Sequence, residues 1–240
     1  MNLANTIRSN YQRVVEQIAA SAHAAGRDPG EVKLVVVTKG QPLSVVQAVV
    51  AAGARHIGEN YPAEALPKML GISAEFGVQW HMIGHIQSRK ARIVAENFNS
   101  VHSLDRLKLA RRLQDVCAQA GKRLPVLLEM NVSAEPTKHG WVAHTEANWP
   151  ELLPEIQQVV DFPNLEVRGL MTMAPFAADS ASARPYFDRL RRLRDFLAIH
   201  FPRVSWQDLS MGMSGDFEPA VRAGATFVRI GRAILGDRHN

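Results

Sequence analysis

Apolar runs of strand character alternate with segments of helical spacing along the whole chain. The first element reads as a helix. Leu3, Ile7, Val14, Val15 and Ile18 recur at helical intervals, and Gly26 with Pro29 supplies a stop. Eight strand-like segments follow, KLVVVT, RHIG, QWHMIG, SVHS, PVLLEMN, EVRGLMTM, QDLSMG and TFVRIG, each succeeded by a helical one. Pro42 and Pro62 stand near predicted helix starts, and Gly53, Gly71, Gly121 and Gly224 near helix ends. Asp105 is expected to cap the helix DRLKLARRLQDVCAQAG, and Pro67 to kink or shorten the helix in which it falls.

Eight βα units behind an extra N-terminal helix predict a (β/α)8 TIM barrel, an α/β fold. The segments AVVAAGARHIG and AVRAGATFVRIG repeat one piece of that grammar: helix, glycine stop, strand, glycine. No linker or low-complexity stretch interrupts the pattern, so residues 1–240 are expected to form one domain. An open doubly wound sheet is the competing architecture. The missing Gly-x-Gly-x-x-Gly after the first strand weighs against its dinucleotide-binding version.

Composition narrows the class. A chain of 240 residues, 46% hydrophobic, suits a single α/β barrel and excludes a disordered chain. No stretch approaches a membrane span, and the polar N-terminal segment MNLANTIRSNYQRVVEQ is not a signal peptide, so a cytoplasmic protein is expected. The one cysteine, Cys117, excludes an internal disulfide and a cysteine-rich zinc site; its helical context predicts a small core residue. The net charge of +5 raises a nucleic-acid partner. The densest basic stretch, RPYFDRLRRLRDF, answers it: Asp188 and Asp195 break the arginines, and Phe187, Leu190 and Leu193 form an apolar stripe. That is a solvated outer helix, with no nucleic acid or membrane as partner.

Candidate chemistry gathers at the strand ends, which form the functional face of such a barrel. Lys39 closes the first strand run, VKLVVVTKG. A lysine at the tip of a buried strand is partly desolvated, which favours the neutral, nucleophilic amine; otherwise it simply reaches water. His102 and Ser103 are placed at the end of the fourth strand. Near the other end of the chain, SMGMSGD sets Gly212, Ser214 and Gly215 before a helix, and RIGRAIL sets Gly231 before another. Backbone N–H groups there would face an anion, although Ser214 alone could be a plain helix cap. The reading is of a reactive amine on one wall of the mouth and a phosphate cradle on the opposite side. Pyridoxal 5′-phosphate (PLP), an aldehyde with a phosphate, fits. A phosphosugar aldolase with a Schiff-base lysine is the other candidate, though the sequence sets no acid–base partner beside Lys39.

The motifs VVVTKGQP, HIGEN, WHMIGHIQSRK, VHSLDR, MNVSAEPTKHG, RGLMTMAP, SMGMSGDFEPAVRAGATFVRIG and RAILG, in this order, resemble those of the pyridoxal phosphate homeostasis proteins, single-domain relatives of the alanine racemase barrel. The resemblance covers nearly the whole chain. It implies a fold-type III barrel with PLP held as a Schiff base on Lys39. It also implies phosphate contacts from Ser214, Gly231 and Arg232, Asn60 and Met213 near the cofactor, and Arg229 at the pyridine nitrogen. Ser103 joins this set as a strand-end residue. The chain departs from the family pattern in places: Gly-Gln-Pro follows Lys39 where Thr-Lys-Pro is frequent, His85 replaces a common proline and Ile86 a leucine, and Arg232 stands where a small hydroxyl residue is frequent.

An arginine at the pyridine nitrogen discourages its protonation and weakens the ring as an electron sink. The last strand ends close to the C-terminus, so the added β domain that brings the racemases a second acid–base group is not expected. These points favour a carrier or regulator in PLP homeostasis, with no catalytic residue and no metal. It would release PLP by transimination to amino acids or apo-enzymes, Lys138 being a possible second amine. A weak or narrow amino-acid racemase is the alternative, and a basic scaffold with a structural cofactor a third reading. A monomer is expected.

Overall fold

The computed structural model describes residues 2–175 and 180–236. Helix α1 (Leu3–Ala24) precedes β1 (Lys33–Val37), α2 (Leu43–Ala51), β2 (His56–Glu59), α3 (Pro62–Leu70), β3 (Gln79–Met82), α4 (Ala91–Asn97), β4 (Ser100–Leu104), α5 (Leu107–Gln119) and β5 (Leu124–Asn131). Then come β6 (Trp141–Val142), α6 (Leu153–Val160), β7 (Leu165–Met171), α7 (Arg184–His200), β8 (Asp208–Ser210), α8 (Phe217–Arg222), β9 (Phe227–Ile230) and α9 (Arg232–Leu235). The parallel strands pair in the order β4-β3-β2-β1-β9-β8-β7-β5, and a β4–β5 pairing closes the ring. The eight expected strands are the barrel staves. The two-residue β6 was not expected; it pairs with the tip of β5 outside the ring, Met130 against Trp141, and is too short to carry a hydrophobic period.

The helices bury the stripes that their spacing predicts. In α5, Leu109, Leu113, Val116 and Cys117 are buried, and in α7 Phe187, Leu190, Leu193 and Leu197. Burial of each such side chain is worth about 1.5–3 kcal/mol. Arg191 and Arg192 of α7 are exposed and Arg184 pairs with Asp188 at 2.8 Å, whereas Arg189 turns in to donate to Val132 O at 2.7 Å. Pro67 stands inside the nine-residue α3, which Gly71 ends. Asp105 does not cap α5; its carboxylate is taken by Arg106 and by His85 instead. Helix α1 lies against the closing turn: Asn10 Nδ2 donates to Ile234 O at 3.1 Å and Arg13 Nη2 to Ala233 O at 3.2 Å. Among the described residues no helix is long and apolar enough to cross a membrane.

Strand parity sorts the side chains. Lys33 of β1 lines a cavity at the barrel floor together with His56, His81 and Phe227. Alternate residues of β1, Lys33, Val35 and Val37, therefore face inward. Backbone pairing continues one residue further, Thr38 N–H to Gly58 O at 3.0 Å, and Lys39 follows at the opposite, C-terminal mouth in the turn that Gln41 N–H closes on Thr38 O at 3.0 Å.

Candidate functional site

Thr38 anchors the turn that carries Lys39. Its hydroxyl donates to Glu59 Oε1 at 2.6 Å, and its carbonyl accepts from Lys68 Nζ at 2.9 Å. Lys68 also bonds Glu59 at 2.8 Å and Glu64 at 2.7 Å. This cluster sits behind the barrel wall, on the outward phase of β1 and β2. Burial holds the Glu59 carboxyl above its ordinary value, although the bonds from Lys68 and Thr38 pull it down. Lys39 itself is half-buried.

The glycine–serine turns expected to face an anion follow strands next to β1, where the sequence reading had them on the opposite side of the mouth. Strand β1 pairs directly with β9, Val36 opposite Ile230, and β8 follows β9. Adjacent strands lie ~4.8 Å apart, so the end of β1 is one strand spacing from the end of β9 and two from that of β8. Linear strand order hides this closeness because the ring closes between the first strand and the last. The two turns touch: Ala233 N–H donates to Ser214 Oγ at 3.3 Å. Gly212 has φ +95°, and a Cβ there would lie 2.7 Å from Ala220 Cβ, so a side chain would push α8 off the turn. On the other flank, a Cβ on Gly84 would lie 2.7 Å from Asn60 Cα; its absence lets the β3 loop close on Asn60.

The remaining predicted residues separate. Asn60 is half-buried at the end of β2, beside Lys39. Met213 is half-buried, and its N–H is held by Asp216 Oδ1 at 2.6 Å, so that amide is already engaged. Ser103 is buried on the outward phase, and its hydroxyl donates to Gly84 O at 2.6 Å, which makes it a brace for the Asn60 side of the mouth. The Arg232 side chain is exposed, leaving its backbone on the turn. Lys138 is half-buried and tied to Glu135, to Ser133 Oγ at 3.2 Å and to Met173 O at 3.0 Å, joining the loop after β5 to the end of β7. His102 is not a mouth residue: β4 runs on to Leu104 and leaves the ring deep in the barrel.

Arg229 is the central cation, 4% exposed. Its Nη1 donates to Ser210 Oγ at 2.7 Å and its Nη2 to Thr172 O at 2.9 Å. Burial lowers its pKa to about 10, and the nearby Glu129 and Asp216 oppose that shift. Glu129, 4% exposed, is pushed up from 4.5 to about 7, first by burial and then by Asp105, with Arg229 pulling the other way. Between pH 4.5 and about 7 the folded protein therefore keeps a proton that the unfolded chain has lost. Stability from this group falls as pH rises across that window, by up to about 3 kcal/mol. Urea unfolding should accordingly show Glu129→Gln gaining on the unaltered protein by up to that amount between about pH 4.5 and pH 8. An unchanged difference at the two pH values would refute this assignment.

Glu129 and Thr172 were not picked out by sequence reading, nor were His56 and His81; Ser210 was placed at its strand end, as the first residue of SMGMSGD, without its bond to Arg229. A signal was present for the histidines: RHIG, WHMIG and VHSL each carry one near the start of a strand. At the rim His85 stacks on His139, centroids 4.0 Å apart, and Asp105 Oδ2 lies 2.9 Å from His85 Nδ1.

A closed parallel ring with a lysine just past β1, two touching turns after β8 and β9, and a buried arginine on β9 defines a barrel of the alanine racemase N-terminal type. The family model for the alanine racemase N-terminal domain matches residues 5–239. The pyridoxal phosphate homeostasis protein of Pseudomonas aeruginosa is 43% identical over 235 residues, covering 98% of this chain and 96% of that one. Its counterpart in Escherichia coli K12 is 38% identical over 242 residues, covering 98% and 97%. The solved structure of PipY from Synechococcus elongatus with PLP bound is 32% identical, with a TM-score of 0.80 over 93% of this chain and 100% of that one. Alanine racemase of Clostridium difficile shares the fold, at 13% identity and a TM-score of 0.69, and this chain spans 58% of it. The chain belongs to the pyridoxal phosphate homeostasis protein family.

Proposed function

We propose that this protein binds PLP at the C-terminal mouth of the barrel, carries it as a Schiff base on Lys39, and serves PLP homeostasis by releasing it to other amines. The observation that supports this most is the pairing of β1, which Lys39 follows, with β9, whose closing turn is joined to Ser214. The residues present suit the group: an amine at the strand-end mouth, a pair of joined turns rich in backbone N–H groups, and a buried cation. When bound, PLP supplies an aldehyde that condenses reversibly with amines. The protein supplies the rest. Thr38, fastened on both its hydroxyl and its carbonyl, limits where Lys39 can swing. Ser214 and the backbone of the α9 turn hold the anion, with Asn60 and Met213 beside the ring. Arg229 offers the ring nitrogen a hydrogen-bond donor and no acceptor. A cation there disfavours protonation of that nitrogen, which supports storage and exchange over carbanion chemistry. Amino acids and the lysines of apo-enzymes are the amines that would take the cofactor.

The test is direct. The purified protein with PLP should show a visible absorption band, and borohydride should fix one pyridoxyl group on the peptide containing Lys39. Lys39→Ala should lose both while retaining its unfolding midpoint. A label on Lys138, or a band surviving in Lys39→Ala, would sink the assignment. Rapid deuterium exchange at the α-carbon of amino acids would instead favour a racemase.

A further inference from the structure

A chain of hydrogen bonds runs down the inside of the barrel from Arg229 to the floor. Arg229 Nη1 meets Ser210 Oγ at 2.7 Å, and Ser210 Oγ lies 2.8 Å from His102 Nδ1. His102 Nε2 is 3.0 Å from His81 Nδ1, and His81 Nε2 is 2.9 Å from His56 Nδ1. His56 lines the floor cavity, about 170 Å³ in volume, which Lys33, Arg168 and Asp208 also border. Four strands thus contribute one link each to the chain below Arg229: Ser210 from β8, His102 from β4, His81 from β3 and His56 from β2.

The direction of every link follows from its upper end. A guanidinium has donors only. Ser210 Oγ therefore accepts from Arg229. Its own hydrogen is fully buried, and His102 Nδ1 is its acceptor; the reverse polarity would strand the hydroxyl hydrogen at a cost of about 1–3 kcal/mol. A neutral imidazole that accepts at Nδ1 carries its hydrogen on Nε2. His102 thus donates to His81 Nδ1, which forces the same tautomer on His81, and His81 donates to His56 in turn. Ser100 Oγ, 2.7 Å from His81 Nδ1, acts as a second donor there.

We propose that Ser210, His102, His81 and His56 form a one-way hydrogen-bond chain of neutral Nε2–H rings that positions Arg229 from below. The surroundings hold the rings neutral. Burial lowers the His81 pKa to about 3 and that of His102 well below its ordinary value, with His56 lowered too. Lys33 from β1 and Arg229 from β9 add positive charge at the two ends, while Glu129 of β5 faces Arg229. The carboxylate at the floor, Asp208 of β8, lies 3.4 Å from Arg168 of β7. With the chain occupying Nη1 and Thr172 O occupying Nη2, the guanidinium cannot rotate away from the mouth. On the reading above, that orientation keeps its charge toward the pyridine nitrogen. His102 and Ser210 are positioning residues, since they act through Arg229.

The test begins with the full chain labelled with ¹⁵N-histidine. Long-range ¹H–¹⁵N spectra should show His56, His81 and His102 as neutral Nε2–H tautomers throughout the range from about pH 7 to about pH 9. One of them as an Nδ1–H tautomer or as an imidazolium overturns the proposal. Ser210→Ala should speed exchange of the Arg229 guanidinium hydrogens about tenfold, and Ser210→Thr should restore the slow rate. Unchanged exchange in Ser210→Ala also overturns it. In protein loaded with PLP, Ser210→Ala should shift the absorption band and Ser210→Thr should return it. If tautomers and exchange behave as stated but the band stays fixed, the chain stands and the placement of the pyridine nitrogen at Arg229 falls.

Discussion

Lys68→Met is expected to lower the unfolding free energy by about 3–5 kcal/mol, because it strands a carboxylate behind the barrel wall. Glu59 is 0% exposed, and its Oε1 accepts from both Lys68 Nζ and Thr38 Oγ1. The ammonium also holds Thr38 O and Glu64 Oε1. Removing it leaves three acceptors short of a donor at once. Protonation of Glu59, already eased by burial, limits the loss as pH falls, so the deficit should be smaller at about pH 5 than at about pH 8. The double variant Glu59→Gln/Lys68→Met should recover part of the deficit, since a neutral amide can still meet Thr38. Urea unfolding of the three proteins measures this; a loss below about 1 kcal/mol for Lys68→Met would mean that the cluster is not a structural pair. Because Thr38 precedes Lys39, the same variant should loosen the turn that aims the amine.

Arg229→Leu should cost a similar amount, about 3–5 kcal/mol, from the interior rather than the wall. It unpairs Ser210 Oγ and Thr172 O and removes the cation that restrains the Glu129 and Asp216 carboxyls. Both carboxyls should then titrate higher, and Glu129 would be mostly protonated at neutral pH. Arg229→Lys should not rescue. One ammonium cannot reproduce two planar donors aimed at two separate acceptors. A fully stable lysine variant, measured by the same unfolding experiment, would contradict the geometry described for the guanidinium.

The architecture was legible in the sequence because its signals are local. Strand runs such as KLVVVT and TFVRIG, with their glycine and proline punctuation, mark all eight staves within a residue or two. The places of Lys39, Ser214, Gly231 and Arg229 at strand ends were legible for the same reason, each lying in or just after a strand run. What failed was whatever depended on closure or phase. In sequence 175 positions separate Lys39 from Ser214, which suggests opposite walls, yet the ring makes β1 and β9 neighbours. His102 seemed to be a mouth residue because β4 was ended one residue early, at Ser103 rather than Leu104; the register puts it at the level of Ser210 instead. Asp105 had the spacing of a helix cap, but Arg106 and His85 compete for its oxygens more effectively than a backbone N–H. Ser103 offered the right hydroxyl in the wrong phase of its strand. None of these competitions is visible to a reading along one dimension.

The grip of α1 on the closing turn has a consequence for biosynthesis. Asn10 and Arg13 leave the ribosome 220 or more positions ahead of the carbonyls that they hold, on Ile234 and Ala233. The turn that meets Ser214 shares those residues, through Ala233 N–H. A nascent chain cannot complete this corner until the α9 turn has been translated, so α1 must wait through the synthesis of the whole ring for that partner.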